Sequence, residues 1–211
     1  ERSQLAADVQ NAHDAASAIE SACRQANAQT QLAEERSHAA EAMIDEIVAA
    51  AGEAGVVQLA NDNAPGQSVI SGSLEAVDRA MEIARDKGLR KVIKLPVSAP
   101  FHCDLMAPAA DAMAAALADV AFADAALPVF CNVTAAGEQV ADALKGNLIT
   151  QVTGRVRWRE SLMALDAAGA SDFVEIGTGK VLSGLVKRTL GDKTIVNFDS
   201  PDDLDAVLAL F

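Results

Sequence analysis

The sequence predicts an α/β protein that begins with a long helical segment. Three observations carry this. Residues 1–51 contain neither Gly nor Pro. After Gly52, short β-branched runs bounded by turn residues alternate with helical stretches. Apolar residues make up 51% of the 211, enough for one sizeable core or two small ones.

In the opening segment Ala, Gln and Glu dominate, a composition that favours helix. Leu5, Val9, Ala12, Ala16, Ile19, Cys23 and Ala26 recur at alternating four- and three-residue steps. This is a heptad-like seam built mostly of alanine, suited to close helix packing. It fades through Ala33, Ala40, Ile44 and Ile47, and Asn and Thr interrupt it between 27 and 30. One long helix or a helical hairpin is expected, with His13 and His38 as solvated residues on it.

Residues 56–60 (VVQLA) read as a strand, 61–66 (NDNAPG) as a turn and 67–71 (QSVIS) as a second strand. Ser73 is placed to cap a helix over 74–87 that Gly88 stops. Residues 91–95 (KVIKL) read as a third strand. With a helix at 41–52 the order is α-β-β-α-β, a ferredoxin-like βαββαβ unit without its first strand.

The run PVSAPFH (96–102) is a Pro-punctuated loop. A helix follows over 104–120, with Pro108 near its start. Strands are expected at 128–133, 173–176 and 194–198. Helices are expected near 139–151, 158–168, 180–190 and 201–210, the last opened by Ser200-Pro201-Asp202. This alternation implies a largely parallel sheet with helices on its faces.

Composition narrows the function. Lys and Arg number 17 against 30 Asp and Glu, a net charge of −13. Such a chain repels phosphate backbones, and with 3% aromatics and no Tyr it has no stacking platform. No nucleic-acid partner is expected. No apolar run is long enough to span a bilayer, so no membrane association is expected either. Cys23, Cys103 and Cys131 form no CxxC pair, so neither a metal site nor a disulfide framework is expected. The first residues are polar and no apolar secretory stretch follows. Together these features point to the cytoplasm.

His102 is the leading candidate for chemistry. It sits on a loop between a strand and a helix, where α/β sheets carry ligands, and an imidazole suits the role of general base. Cys103 beside it is a small buried apolar residue in the plain reading, or a nucleophile in the bolder one. The run EIGTGKVLSGL (175–185) lacks the spacing of a phosphate loop. An anion at that helix start stays open, with Lys180, Lys187 and Arg188 nearby. No G-x-S-x-G elbow exists, and Ser68, Ser71, Ser73 and Ser98 have no elbow context. A base is in view without a nucleophile.

Five blocks occur in one order: ANDNAPGQSVISG (60–72), LPVSAPFHCDLMAPAAD (95–111), PVFCNVTA (128–135), QVTGRVRWRES (151–161) and EIGTGKVLSGLVKR (175–188). Together they closely resemble the C-terminal half of the malonyl-CoA:acyl carrier protein transacylases of bacterial fatty acid synthesis, over roughly residues 41–211. The resemblance implies a partial α/β-hydrolase-like sheet with a ferredoxin-like small subdomain. It divides the chain into an unmatched Ala/Gln-rich helical segment (1–40), the small subdomain (41–95) and part of the acyltransferase subdomain (96–211). It implies transfer of malonyl from coenzyme A to a serine and on to the carrier protein's thiol, with no permanently bound cofactor. His102 falls where the family activates that serine, and Gln151 where a backbone carbonyl orients the histidine. Asn61, Asn63, Gln67 and Phe101 fall at the acyl cleft, and Phe101 departs from the Ser of some members.

The family's GQGSQ turn, GHSLGE serine elbow and malonyl-binding arginine have no counterpart in these 211 residues, and neither Arg2 nor Arg36 has the surroundings of that arginine. Loss of such a serine costs on the order of 10⁶ in kcat. A chain nearly inactive by itself is therefore expected: a fragment, truncated product or rearrangement of the family. The alternatives are a non-catalytic interaction module, self-associating through its first helix or an exposed sheet edge, and an enzyme using Cys103 or Ser98 with His102. A basic cluster at Arg85, Lys87, Arg90, Lys91 and Lys94 is the candidate carrier-protein dock.

Overall fold

The computed structural model describes residues 2–210; within the first helix it describes the side chains of 13, 15–25, 28, 31, 32, 35 and 38 onward. The chain divides into two compact units, Glu1–Met43 and Ile44–Phe211. The expected helix is a single one, α1 (Arg2–Ala51), with no hairpin break. Of the alanine seam, Ala16, Ile19 and Cys23 are exposed, and Ile19 leaves 64% of its surface to solvent. Leu5, Val9, Ala12 and Ala26 lie outside the described side chains, as do Arg2 and Arg36.

In the second unit α1 ends at Ala51, where Gly52 begins a short 3-10 turn, Gly52–Ala54. The chain then enters β1 (Val57–Ala64), which turns back antiparallel into β2 (Gln67–Gly72). The expected turn at 61–66 is shorter than its composition suggests. Asn61, Asp62 and Asn63 are strand residues, and only Pro65 and Gly66 turn, with Gly66 at φ 72°. Two register shifts, between Leu59 and Asn61 and between Asp62 and Ala64, put the buried carboxylate of Asp62 inside the strand. The contacts of that carboxylate, described below, outweigh the turn preference of Asn and Asp.

Helix α2 (Leu74–Asp86) starts one residue after Ser73, as expected. Ser73 makes no side-chain cap; its buried hydroxyl has no hydrogen-bond partner among the described residues and packs against Gly55 instead. Ala76, Ala80 and Ala84, four apart, form the buried face of α2. Residues 91–95, expected as a strand, join no sheet among the described residues. In a βαββαβ unit that strand lies beside the first one, and the described residues hold no such strand. Ile93 is accordingly 74% exposed.

A loop leads through His102 to a 3-10 turn, Asp104–Met106, and α3 (Ala107–Leu117) with Pro108 in its first turn. A small hairpin follows, β3 (Val129–Cys131) with β4 (Ala136–Glu138); the sequence reading placed β3 and missed β4. Next come α4 (Ala141–Gln151), α5 (Trp158–Ala167), β5 (Asp172–Ile176), α6 (Val181–Leu190), β6 (Thr194–Phe198) and α7 (Leu204–Leu208). β5, α6 and β6 make a parallel crossover unit, registered from Asp172 opposite Thr194 to Ile176 opposite Phe198. The strands of the described residues thus form three two-stranded sheets. Parallel pairing within a sheet is confined to β5 and β6 among the described residues. Helices α5 and α6 pack on each other and on β1, and bury Leu162, Leu185 and Val186.

Candidate functional site

His102 adopts φ 59°, the left-handed region that non-glycine residues rarely enter. The conformation costs on the order of 1–2 kcal/mol, which its surroundings must offset. On one side Cys103 is fully buried, and its thiol donates to the Pro100 carbonyl at 3.1 Å. That burial and that partner remove Cys103 from consideration as a nucleophile. One residue further, the Asp104 amide donates to Gln58 Oε1 at 2.7 Å, and Gln58 Nε2 donates back to Asp104 Oδ2 at 3.0 Å. The His102 loop is therefore tied to β1.

The Nδ1 atom of His102 lies 3.0 Å from the backbone carbonyl oxygen of Gln151. A carbonyl only accepts, so Nδ1 carries the proton and the neutral ring keeps its lone pair on Nε2. This is the arrangement a general base needs: one nitrogen held, the other basic. Gln151 closes α4, and its own side chain donates to the Gly154 carbonyl at 2.9 Å while the Gly154 amide donates to Thr150 at 2.9 Å. A Cβ on Gly154 would stand 2.8 Å from the Thr150 carbonyl oxygen and from Val133. Glycine is required there by close approach.

Beyond that turn, residues 155–157 run alongside β1 as a short parallel segment. The Asp62 amide donates to the Val156 carbonyl at 2.9 Å, and the Val156 amide to Ala60 at 2.7 Å. Side chains lock the same junction. The Asp62 carboxylate, 4% exposed, accepts from Arg155 Nη2 at 3.2 Å and from Arg159 Nε at 2.8 Å. Glu160 pairs with Arg157, whose hydrogen bond holds the Glu160 carboxyl below the usual carboxylate range. β1 thus anchors both the histidine loop and the segment that follows the carbonyl facing it. Gln58, Asp62, Asp104, Arg155 and Arg159 were not singled out from sequence. The visible signal was a carboxylate, Asp62, between two asparagines and the repeated Arg of RVRWRE.

The remaining expected residues scatter around this centre. Asn61 sits at the bridge to Val156, and Asn63 follows two residues on, partly buried in β1. The Gln67 amide oxygen accepts from Arg188 at 2.7 Å. Phe101, next to His102, is exposed. The helix start at 181 offers no open anion site, because the carboxylate of Glu175 fills it. That group accepts from the Leu182 and Ser183 amides at 3.0 and 2.7 Å, the Ser183 hydroxyl at 2.6 Å and Asn197 at 3.1 Å. The Ser183 hydroxyl, and then these amides, hold it below the usual carboxylate range. In the basic cluster Lys87 pairs with Glu46 at 2.7 Å and Lys94 with Asp78 at 2.6 Å, while Arg85, Arg90 and Lys91 are exposed. Among the described residues, no group of three or more His, Cys, Asp or Glu side chains is placed to hold a metal, and no helix is long and apolar enough to cross a membrane.

No family model matches the chain. Individual proteins do. The chain is 42% identical over 151 residues to the malonyl CoA-acyl carrier protein transacylase of Synechocystis, a match over 72% of this chain and 50% of that protein. The acyl-carrier-protein-S-malonyltransferase of Bartonella henselae superposes with a TM-score of 0.76 at 42% identity, over 79% of this chain and 53% of that one. The chain is related to the malonyl CoA-acyl carrier protein transacylases. It spans about half the length of the curated relatives it matches. A further transacylase, solved in complex with a type II polyketide acyl-carrier protein, superposes with a TM-score of 0.76 at 35% identity over 80% of this chain and 54% of that chain. The mixed helix and sheet architecture is thus similar to that of the malonyl transacylases over about four fifths of this chain.

Proposed function

We propose that these residues form the base-bearing part of a malonyl-CoA:acyl carrier protein transacylase site, acting in the cytoplasm in fatty acid synthesis. The observation that carries this reading is the 3.0 Å contact between His102 Nδ1 and the Gln151 carbonyl, made on a histidine held at φ 59°. None of the 211 residues stands in a serine elbow, so the nucleophile belongs to residues outside them, on the same or another polypeptide.

In the proposed reaction His102 Nε2 takes the proton as the serine hydroxyl attacks the malonyl thioester carbon. The imidazolium is stabilised by the Gln151 carbonyl at Nδ1–H. The carbon–sulfur bond then breaks, and the coenzyme A thiolate leaves with that proton. The second half reverses these steps. The carrier protein's thiol gives its proton to Nε2 and attacks the acyl-serine, and the serine leaves protonated. Malonyl-CoA is substrate, and no resident cofactor is invoked. Asn61, Asn63, Gln67 and Phe101 line the acyl cleft in this reading. The division at 1–40, 41–95 and 96–211 is kept, with a ferredoxin-like small subdomain and part of an α/β-hydrolase-like sheet. Exposed apolar residues such as Ile93, Ile176 and Val181 mark faces to be covered by the serine-bearing segment or a second copy. Arg85, Arg90 and Lys91 receive the acidic carrier protein.

The test mixes this chain with a polypeptide bearing the GHSLGE elbow and measures malonyl transfer to carrier protein. Transfer that needs both polypeptides, and that falls at least 10³-fold in His102→Ala, is expected from loss of the base. Transfer indifferent to His102 overturns the proposal.

A further inference from the structure

His102 is the only residue of its loop in the left-handed region, and a side chain from a different element grips the residue two positions on. We propose that Gln58 is a positioning residue for the histidine. Its amide accepts from the Asp104 backbone and donates to the Asp104 carboxylate, and so fixes the end of the loop relative to β1. The other end of the contact, the Gln151 carbonyl, leads into residues 155–157, which pair with the same strand three residues further along. β1 sets the distance between donor and acceptor, and Gln58 is the half of that setting that acts on His102. The two hydrogen bonds to Asp104 are reciprocal. Either alone allows the loop to pivot, but both together define its direction. Gln58 holds Asp104 and so acts on the ring of His102 through the backbone of the loop. This inference rests on the proposed role of His102 as a base.

The experiment reads the imidazole itself in the full 211-residue chain. Long-range ¹H–¹⁵N spectra distinguish the two neutral tautomers, and His102→Ala assigns the signal against His13 and His38. The wild-type ring is expected as the Nδ1–H tautomer. In Gln58→Ala, and in the volume-preserving Gln58→Met, the ratio of Nδ1–H to Nε2–H is expected to fall about fivefold, the loss of one net hydrogen bond. Asp104→Asn keeps the backbone donor and an acceptor oxygen, and is expected to retain the wild-type ratio. Backbone amide shifts away from residues 100–107 report that each variant is folded. An unchanged ratio in both Gln58 variants overturns the proposal and leaves the His102 reading intact. A ratio that falls equally in Asp104→Asn overturns it as well, since that variant preserves the clamp. A wild-type ring lacking the Nδ1–H tautomer brings down the base reading itself, and this inference with it.

Discussion

At the scale of single residues, the candidate site depends on a few positions where geometry leaves little choice. Gly154 is one. Gly154→Ala sets a methyl against the Thr150 carbonyl oxygen at 2.8 Å, a backbone atom that cannot swing away. The expected cost is about 1–3 kcal/mol, read by urea denaturation, together with a weakened His102–Gln151 contact. Asp62 is another. Removing it as Asp62→Ala takes away a buried carboxylate that Arg155 and Arg159 both engage. Breaking a buried ion pair costs about 3–5 kcal/mol, so this variant is expected to lose more than Gly154→Ala. Equal or smaller loss would mean that water reaches the arginines. His102 stood out in the sequence by its loop position and its chemistry, whereas Gln151 entered only through the family resemblance, because what it offers is a backbone carbonyl. Gln58 and Asp104 were not legible, because the contact between them spans 46 positions and leaves no local pattern.

At the scale of elements, the helices and five of the six described strands followed from capping residues, glycine stops and β-branched runs. Two errors have a shared cause. Residues 91–95 carry strand composition but join no sheet among the described residues, and 61–63 carry turn composition but lie beside 155–157, which holds them in the strand. Strand formation is decided by partners, which a local reading does not see. Helix α6 gives a further expectation. Glu175 fills its N-terminus and titrates below the usual carboxylate range because the ionised form collects the Ser183 hydroxyl and two amides. A carboxyl whose folded pKa is depressed stabilises the fold above its unfolded pKa, and that contribution disappears as pH falls through the folded value. Thermal melts below the ordinary carboxylate range should therefore show a loss that Glu175→Gln removes. A variant with the same acid slope as wild type would assign the slope elsewhere.

At the scale of the whole molecule, an acidic chain is proposed to receive an acidic carrier protein. The net charge of −13 opposes that encounter, so the local field near Arg90 and Lys91 must overcome it. Arg90→Glu with Lys91→Glu is expected to weaken carrier-protein binding at least tenfold, and to do so less at high salt. Unchanged binding places the dock elsewhere. The family resemblance was legible because five motif blocks survive in order. The proposed division of labour at the site rests on what those blocks omit.

The most direct measurement is intact-mass spectrometry of this chain with malonyl-CoA, alone and with the serine-bearing polypeptide. The chain should keep its mass in both samples, while the other polypeptide gains one malonyl group and loses that gain when His102→Ala replaces the wild type. A malonyl adduct on this chain, formed without any partner, would contradict the account: the nucleophile would then lie among these 211 residues.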